Sequence, residues 1–139
     1  MKNKYLKDGR LSEVLALIQV LAYDKFTSRS ESALAGELQS KPSSSLSWVL
    51  LANEHSEFFR VRNNEDDVKE DRVSLVSRFV LPSSGPERLK SPLDANTVNK
   101  LMEIAIEIHD RQVERRDRWK LYTPIILAVF EAVIKIIFG

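Results

Sequence analysis

Residues 94–139 read DANTVNKLMEIAIEIHDRQVERRDRWKLYTPIILAVFEAVIKIIFG, a single helical pattern whose two halves differ in kind. Asp94 is placed to cap a helix starting at Ala95, with Thr97 as the nearby alternative cap. Val98, Leu101, Ala105 and Ile108 then recur at steps of three and four, and Gln112, Arg115 and Trp119 continue the spacing with polar residues. Met102, Ile106 and Val113 widen the stripe. Two readings fit. In one, this stripe packs back onto the preceding domain. In the other it is the seam of a short parallel coiled coil, with Val98, Leu101, Ala105 and Ile108 facing a second copy.

From Leu121 the pattern stops being one-sided. The 18 residues 121–138 are apolar nearly all round, and as helix they extend about 27 Å against a hydrocarbon core of about 30 Å. The anchor residues expected are Trp119, Tyr122, Ile125, Ile126, Leu127, Val129, Phe130, Val133, Ile134, Ile136, Ile137 and Phe138, with the first two in an aromatic belt. Eleven of the 18 residues are Leu, Ile, Phe or Val, worth about −5 kcal/mol on an insertion scale that charges roughly 2.5–3.5 kcal/mol for a central charge. Glu131 and Lys135 therefore nearly cancel the gain. Their four-residue spacing predicts an intramembrane charge pair, and Lys135 is able to snorkel. Pro124 lies in the first turn of this segment, where proline is tolerated. The basic run Arg115-Arg116-Asp117-Arg118-Trp119-Lys120 ahead of it predicts a cytoplasmic N-terminal domain and an inner-membrane location. The competing reading is a helix buried in a soluble, cytoplasmic oligomer, with Glu131 and Lys135 fixing register.

Working back along the chain, Pro82-Ser83-Ser84-Gly85-Pro86 and Ser91-Pro92 mark residues 83–93 as a linker. The divisions expected are a flexible lead-in at 1–10, a domain at 11–82, the linker, a helical stalk at 94–120 and the apolar helix at 121–139. Residues 1–10 carry positive charges with no apolar run after them, so no signal peptide is expected. Within the domain, Ser12 and Glu13 open a helix through Tyr23 that buries Val14, Leu15, Leu17, Ile18, Leu21 and Ala22. Residues 24–29 read as loop. Ser30 caps a second helix with Ala33, Leu34 and Leu38 inward. A third helix is expected from the serines at 43–45 to His55, with Leu46, Val49, Leu50 and Ala52 as its apolar face. The period then changes to two. Phe59 and Val61 alternate with Arg60 and Arg62, and after the acidic stretch 63–71 a second strand runs from Val73 to Leu81.

Three helices followed by a hairpin is the order of a winged helix-turn-helix domain, and residues 11–82 resemble that family. The features that carry the resemblance are the short helix Glu31-Ser32-Ala33-Leu34-Ala35-Gly36-Glu37-Leu38, the turn at Lys41-Pro42 and the direct run into Phe58-Phe59-Arg60-Val61. The string Glu54-His55-Ser56-Glu57-Phe58-Phe59-Arg60-Val61 is also similar to one in small uncharacterised bacterial proteins, which brings no activity with it. The resemblance implies an α+β, mostly α fold: a three-helix winged-helix-like domain with a β-hairpin, followed by a long C-terminal helix.

The family's common use, a third helix in the DNA major groove, needs cations facing phosphate. Here the third helix holds no Lys or Arg, and the stretch between the strands carries five acids against one base. For a DNA-binding regulator dimerising through its C-terminal helix, the contacts would be Lys41, Ser44, Arg60 and Arg62. Arg60, Arg62, Arg72 and Arg78 form a basic strip on the hairpin in that reading, or else an outer face paired with the wing acids. Lys plus Arg number 21 and Asp plus Glu 20, a balance that lacks the basic excess of a nucleic-acid binder. With no cysteine and four glycines, thiolate chemistry is excluded and no phosphate-cradling loop is present. His55 reads as a helix-end residue and His109 as a solvated or seam-edge one, short of the three or four ligands a metal needs. The expected function is thus a non-enzymatic, membrane-tethered adaptor, with no cofactor, no metal and no small-molecule substrate. Its partners would be the membrane and either a protein or a second copy.

Overall fold

The computed structural model describes residues 3–63, 70–79 and 91–139. In chain order the elements are α1 (Arg10–Tyr23), β1 (Ser28–Ser30), α2 (Glu31–Leu38), α3 (Trp48–Glu54), β2 (Phe59–Arg62), β3 (Arg72–Leu75) and α4 (Ala95–Phe138), with 3-10 turns at Lys4–Leu6 and Val76–Phe79. The mostly helical α+β class expected from the periodicity is what forms. The three strands make one antiparallel sheet in the order β1-β3-β2.

The core collects the apolar stripe of α1, namely Val14, Leu17, Ile18 and Leu21, against Leu34 of α2, Leu51 of α3 and the inner sheet residues Phe59, Val73 and Leu75. Strand alternation assigns the two faces. Phe59 and Val61 lie opposite Leu75 and Val73 on the inner side, while Arg60 and Arg62 lie opposite Ser74 and Arg72 on the outer side.

Helix boundaries follow the polar residues that end them. Ser30 caps α2 by accepting from the Ala33 amide, and Asp94 caps α4 by accepting from Thr97, both as the sequence implies. The third helix starts later than the serines suggest. Its cap is Ser47, which accepts from Leu50, because Ser43 and Ser44 are held by the Glu13 carboxylate through their amides and hydroxyls. The Glu31 carboxylate, at the start of α2, takes the Trp48 and Val49 amides at 3.0 and 2.9 Å. The apolar face of α3 is accordingly Trp48, Leu51 and Ala52, while Leu46 and Leu50 remain 83% and 45% exposed.

Four expectations are corrected. Residues 24–29 are not all loop, because Ser28 and Arg29 open β1, which pairs with β3. The second hairpin strand ends at Leu75 rather than Leu81. The chain turns there so that Arg78, instead of facing outward on a basic strip, enters the domain and donates to the carbonyls of Leu21, Asp24 and Phe26 at 2.9, 2.6 and 3.0 Å. Residues 3–10 are not a loose lead-in: Tyr5 and Arg10 are buried, and α1 begins at Arg10 after Gly9, whose φ of 77° suits a residue without a Cβ. Finally, the stripe expected as an oligomer seam is used within the chain. Val98 and Ala105 are buried in the core, and Leu101 and Ile108 pack against it. Residues 80–90 and 64–69, which include most of the linker and the acidic wing, lie outside the described residues.

Candidate membrane anchor

The helix α4 has 44 residues, about 66 Å at 1.5 Å per residue. It runs antiparallel to α1. Leu93 donates to the carbonyl of Ala22 at the C-terminal end of α1. At the other end the Tyr5 amide donates to Gln112 Oε1 at 3.0 Å. Gln112 sits where the heptad pattern turns polar, and its side chain satisfies an amide that would otherwise be buried without a partner. Beyond Val113 the helix leaves the domain and every residue is exposed.

The exposed part contains a stretch long and apolar enough to cross a membrane, and none of that stretch is buried. All the anchor residues expected from the sequence, Trp119 through Phe138, lie on it. Phe130 is 62% exposed and Ile136 83%. Apolar side chains at this density, bare on all sides, need an apolar environment from outside the chain. Burying them in hydrocarbon is compatible with membrane anchoring.

Two details differ from the sequence reading. Pro124 is not in a first turn, because α4 is continuous through it. Proline has no N–H, so the Lys120 carbonyl lacks its helical donor. One residue earlier, Thr123 Oγ1 donates back to the Trp119 carbonyl at 2.7 Å. The helix is therefore weakened where the charged segment meets the apolar one. In addition, Glu131 and Lys135 form no ion pair. Among the described residues the pairs of α4 are His109–Asp110, Arg111–Glu107 and Arg116–Asp117. In a solvent-exposed position such a pair gains little over hydration.

At the end of the domain nearest the anchor is a buried polar cluster that sequence reasoning missed. The His55 ring, fully buried, lies between Arg10 and Glu57. Its Nδ1 is 3.1 Å from Glu57 Oε1, and its Nε2 is 3.2 Å from Arg10 Nη1. Guanidinium only donates and carboxylate only accepts, so Nε2 must accept and Nδ1 must carry the hydrogen. The ring is neutral in this arrangement. Burial lowers the His55 pKa, and the opposing pull of Glu57 does not reverse it. Arg10 also donates to Glu54 and to the Ser44 side chain and carbonyl, at 2.5, 2.8 and 2.8 Å. Lys4 donates to the Glu54 carbonyl at the end of α3, 2.8 Å away, and pairs with Glu57 at 2.6 Å. Tyr5 donates its hydroxyl to Glu57, and burial followed by that carboxylate pushes its own pKa up. Desolvation alone would raise Glu57, but donors from His55, Lys4 and Tyr5 hold it well below the usual carboxylate range. The cluster joins the N-terminal turn, α1 and the end of α3. The spacing Glu54-His55-Ser56-Glu57 was the available signal, but its partners Lys4 and Arg10 lie far away in sequence.

The residues considered for DNA contact are not brought together. Ser44 is engaged by Arg10 and Glu13, whereas Arg60 and Arg62 line a cavity on the outer face of the sheet. Lys41 is exposed in the α2–α3 connection. Among the described residues no group of three or more His, Cys, Asp or Glu is arranged to hold a metal ion. Comparison with known proteins finds no matching family model, no matching curated protein and no matching solved structure.

Proposed function

We propose that this chain is a membrane-tethered, non-enzymatic interaction module. Its C-terminal helix crosses the bilayer and its N-terminal domain projects into the cytoplasm. The observation that supports the reading is the apolar run 121–138, exposed on all sides and continuous with a helix whose first half is docked on the domain. Between Arg111 and Lys120 there are five basic residues and two acidic ones. That excess favours retention on the cytoplasmic side of an inner membrane.

We read the domain as winged-helix-like. The order helix, strand, helix, helix, hairpin supports this, with β1 joining the hairpin across β3. Protein contact is a better use of it than DNA binding. The outer side of α3 offers Val49 and Leu50 beside Glu31, Glu70 and Asp71, a surface of apolar and acidic groups that repels phosphate. Ser44, needed for the DNA reading, is already hydrogen-bonded.

Because the chain has no cysteine, single cysteines report topology cleanly. Lys41→Cys and Gly139→Cys variants are treated with a membrane-impermeant maleimide in intact cells whose outer membrane has been permeabilised. The reading expects Gly139→Cys to react in intact cells and Lys41→Cys only after lysis. Reaction of Lys41→Cys in intact cells, or protection of both until lysis, contradicts the proposed topology.

A further inference from the structure

The outer face of the sheet holds a cavity of about 300 Å³ lined by Arg60, Arg62 and Arg72 with the hydroxyls of Thr27, Ser28 and Ser74. Its origin is the strand register. Arg62 stands directly opposite Arg72, Arg60 is two residues along on the same face, and Ser74 lies between Arg60 and Ser28. Like charges directly opposite each other on a sheet destabilise it. This pair therefore costs the fold some stability, which an anion bound beside the two would offset. No described carboxylate forms an ion pair with any of the three arginines, whereas Arg10 and Arg29 are paired with Glu54 and Asp24. Glu70 and Asp71, the acids leading into β3, line the opposite depression beside α2 and α3.

One wall of the cavity is fixed in advance. Arg72 donates from Nε to Ser28 Oγ at 2.8 Å and from Nη2 to the Ser28 carbonyl at 2.7 Å. Two of its N–H groups thus lock the guanidinium in place. A pre-set planar donor beside two further guanidiniums and the hydroxyls of Thr27 and Ser28 matches the several oxygens of a phosphate group.

We infer that this cavity is a receptor site for a soluble, phosphate-bearing small molecule. The cavity volume suits a single phosphate with a small substituent. A phospholipid headgroup is the other source of the same chemistry, and the position argues against it. Thr27 and Ser28 follow the C-terminal end of α1, the end beside Leu93. On α4, Val98 and Leu121 are separated by about 34 Å of helix, several times the headgroup layer of about 5–8 Å.

The test uses the full chain in neutral detergent and in phosphatidylcholine vesicles, titrated with inorganic phosphate and with AMP by calorimetry. Thermal unfolding is recorded in phosphate and in chloride at matched ionic strength. Saturable binding of both probes is expected. Arg60→Gln and Arg62→Gln, both at exposed positions, should each weaken it about tenfold or more, as loss of a charge-assisted hydrogen bond does. Arg62→Gln should also raise the midpoint in chloride, by removing the Arg62–Arg72 repulsion, and shrink the rise that phosphate gives. An equal phosphate-induced rise in wild type and variants would be salt exclusion and overturns the proposal. Three other results overturn it: no saturation, loss of phosphate binding when phosphatidic acid is added to the vesicles, or duplex DNA binding more tightly than AMP through the same arginines.

Discussion

The two ends of α4 are one helix with two apolar patterns. From Ala95 to Val113 most of its apolar residues lie on one stripe, which the chain covers with α1 and the N-terminal turn, leaving Ile104 and Ile106 exposed. From Leu121 to Phe138 they surround the axis, and among the described residues nothing covers them. A one-sided stripe is satisfied by one neighbouring element. An all-round apolar surface needs an apolar medium or a shell of partners. The difference lies in pattern, since both segments are strongly helical.

The same substitution should therefore have opposite consequences in the two halves. Ala105→Asp places an unpaired carboxylate between α4 and α1, and is expected to cost at least about 3 kcal/mol of domain stability in urea unfolding. Ile126→Asp should leave the domain's urea midpoint unchanged. It is expected to cost about 3–4 kcal/mol of insertion and so release the chain from membranes. If Ile126→Asp unfolded the domain, the halves would not be independent.

The polar cluster sharpens the first half of the comparison. Arg10→Ala removes the donor shared by Glu54, His55 and Ser44, and should cost about 3–5 kcal/mol. Gln112→Ala strands the Tyr5 amide and should cost about 1–3 kcal/mol, which detaches the N-terminal turn before the rest of the domain unfolds. Hydrogen exchange at Tyr5 reads that local opening.

Acid provides a smaller, graded effect. The folded state holds the His55 pKa below its unfolded value of 6.5, so below about pH 6.5 the unfolded state binds the extra proton. The stability gained from keeping this ring neutral is present above that pH and is lost as pH falls towards the folded value. The depressed carboxylates Glu57 and Glu54 contribute stability above their unfolded value of 4.5, lost as pH falls through their lower folded values. Urea midpoints should decline from pH 7 to pH 5 and then further below pH 4.5. His55→Gln should flatten only the first decline. The smallest effect expected is at a cap: Ser47→Ala removes the acceptor for the Leu50 amide and should cost about 1 kcal/mol.

What the sequence reveals follows from how local the deciding interactions are. Ser30 and Asp94 act on amides three residues away, and their helix starts are legible. The alternation at Phe59–Arg62 is equally local. Leu46 and Leu50 mislead because Glu31 and Glu13, from other elements, decide where α3 begins and which way it turns. Arg78 breaks the expected strand for carbonyls more than 50 residues away. The two readings of Val98–Ile108 could not be separated by spacing, since packing against α1 and against a second copy use the same stripe. The burial of His55 depends on Lys4, Tyr5 and Arg10, in a stretch whose composition reads as solvated.

The central claim is that residues 121–138 hold this chain in a bilayer. Fractionation of the intact chain beside one ending at Lys120, with a carbonate wash of the membrane pellet, tests it most directly. The account predicts the intact chain in the washed pellet and the shortened chain in the supernatant, folded with an unchanged urea midpoint. Both chains in the supernatant, with the intact one at a multiple of its monomer mass by light scattering, would contradict it and assign the apolar helix to a soluble assembly.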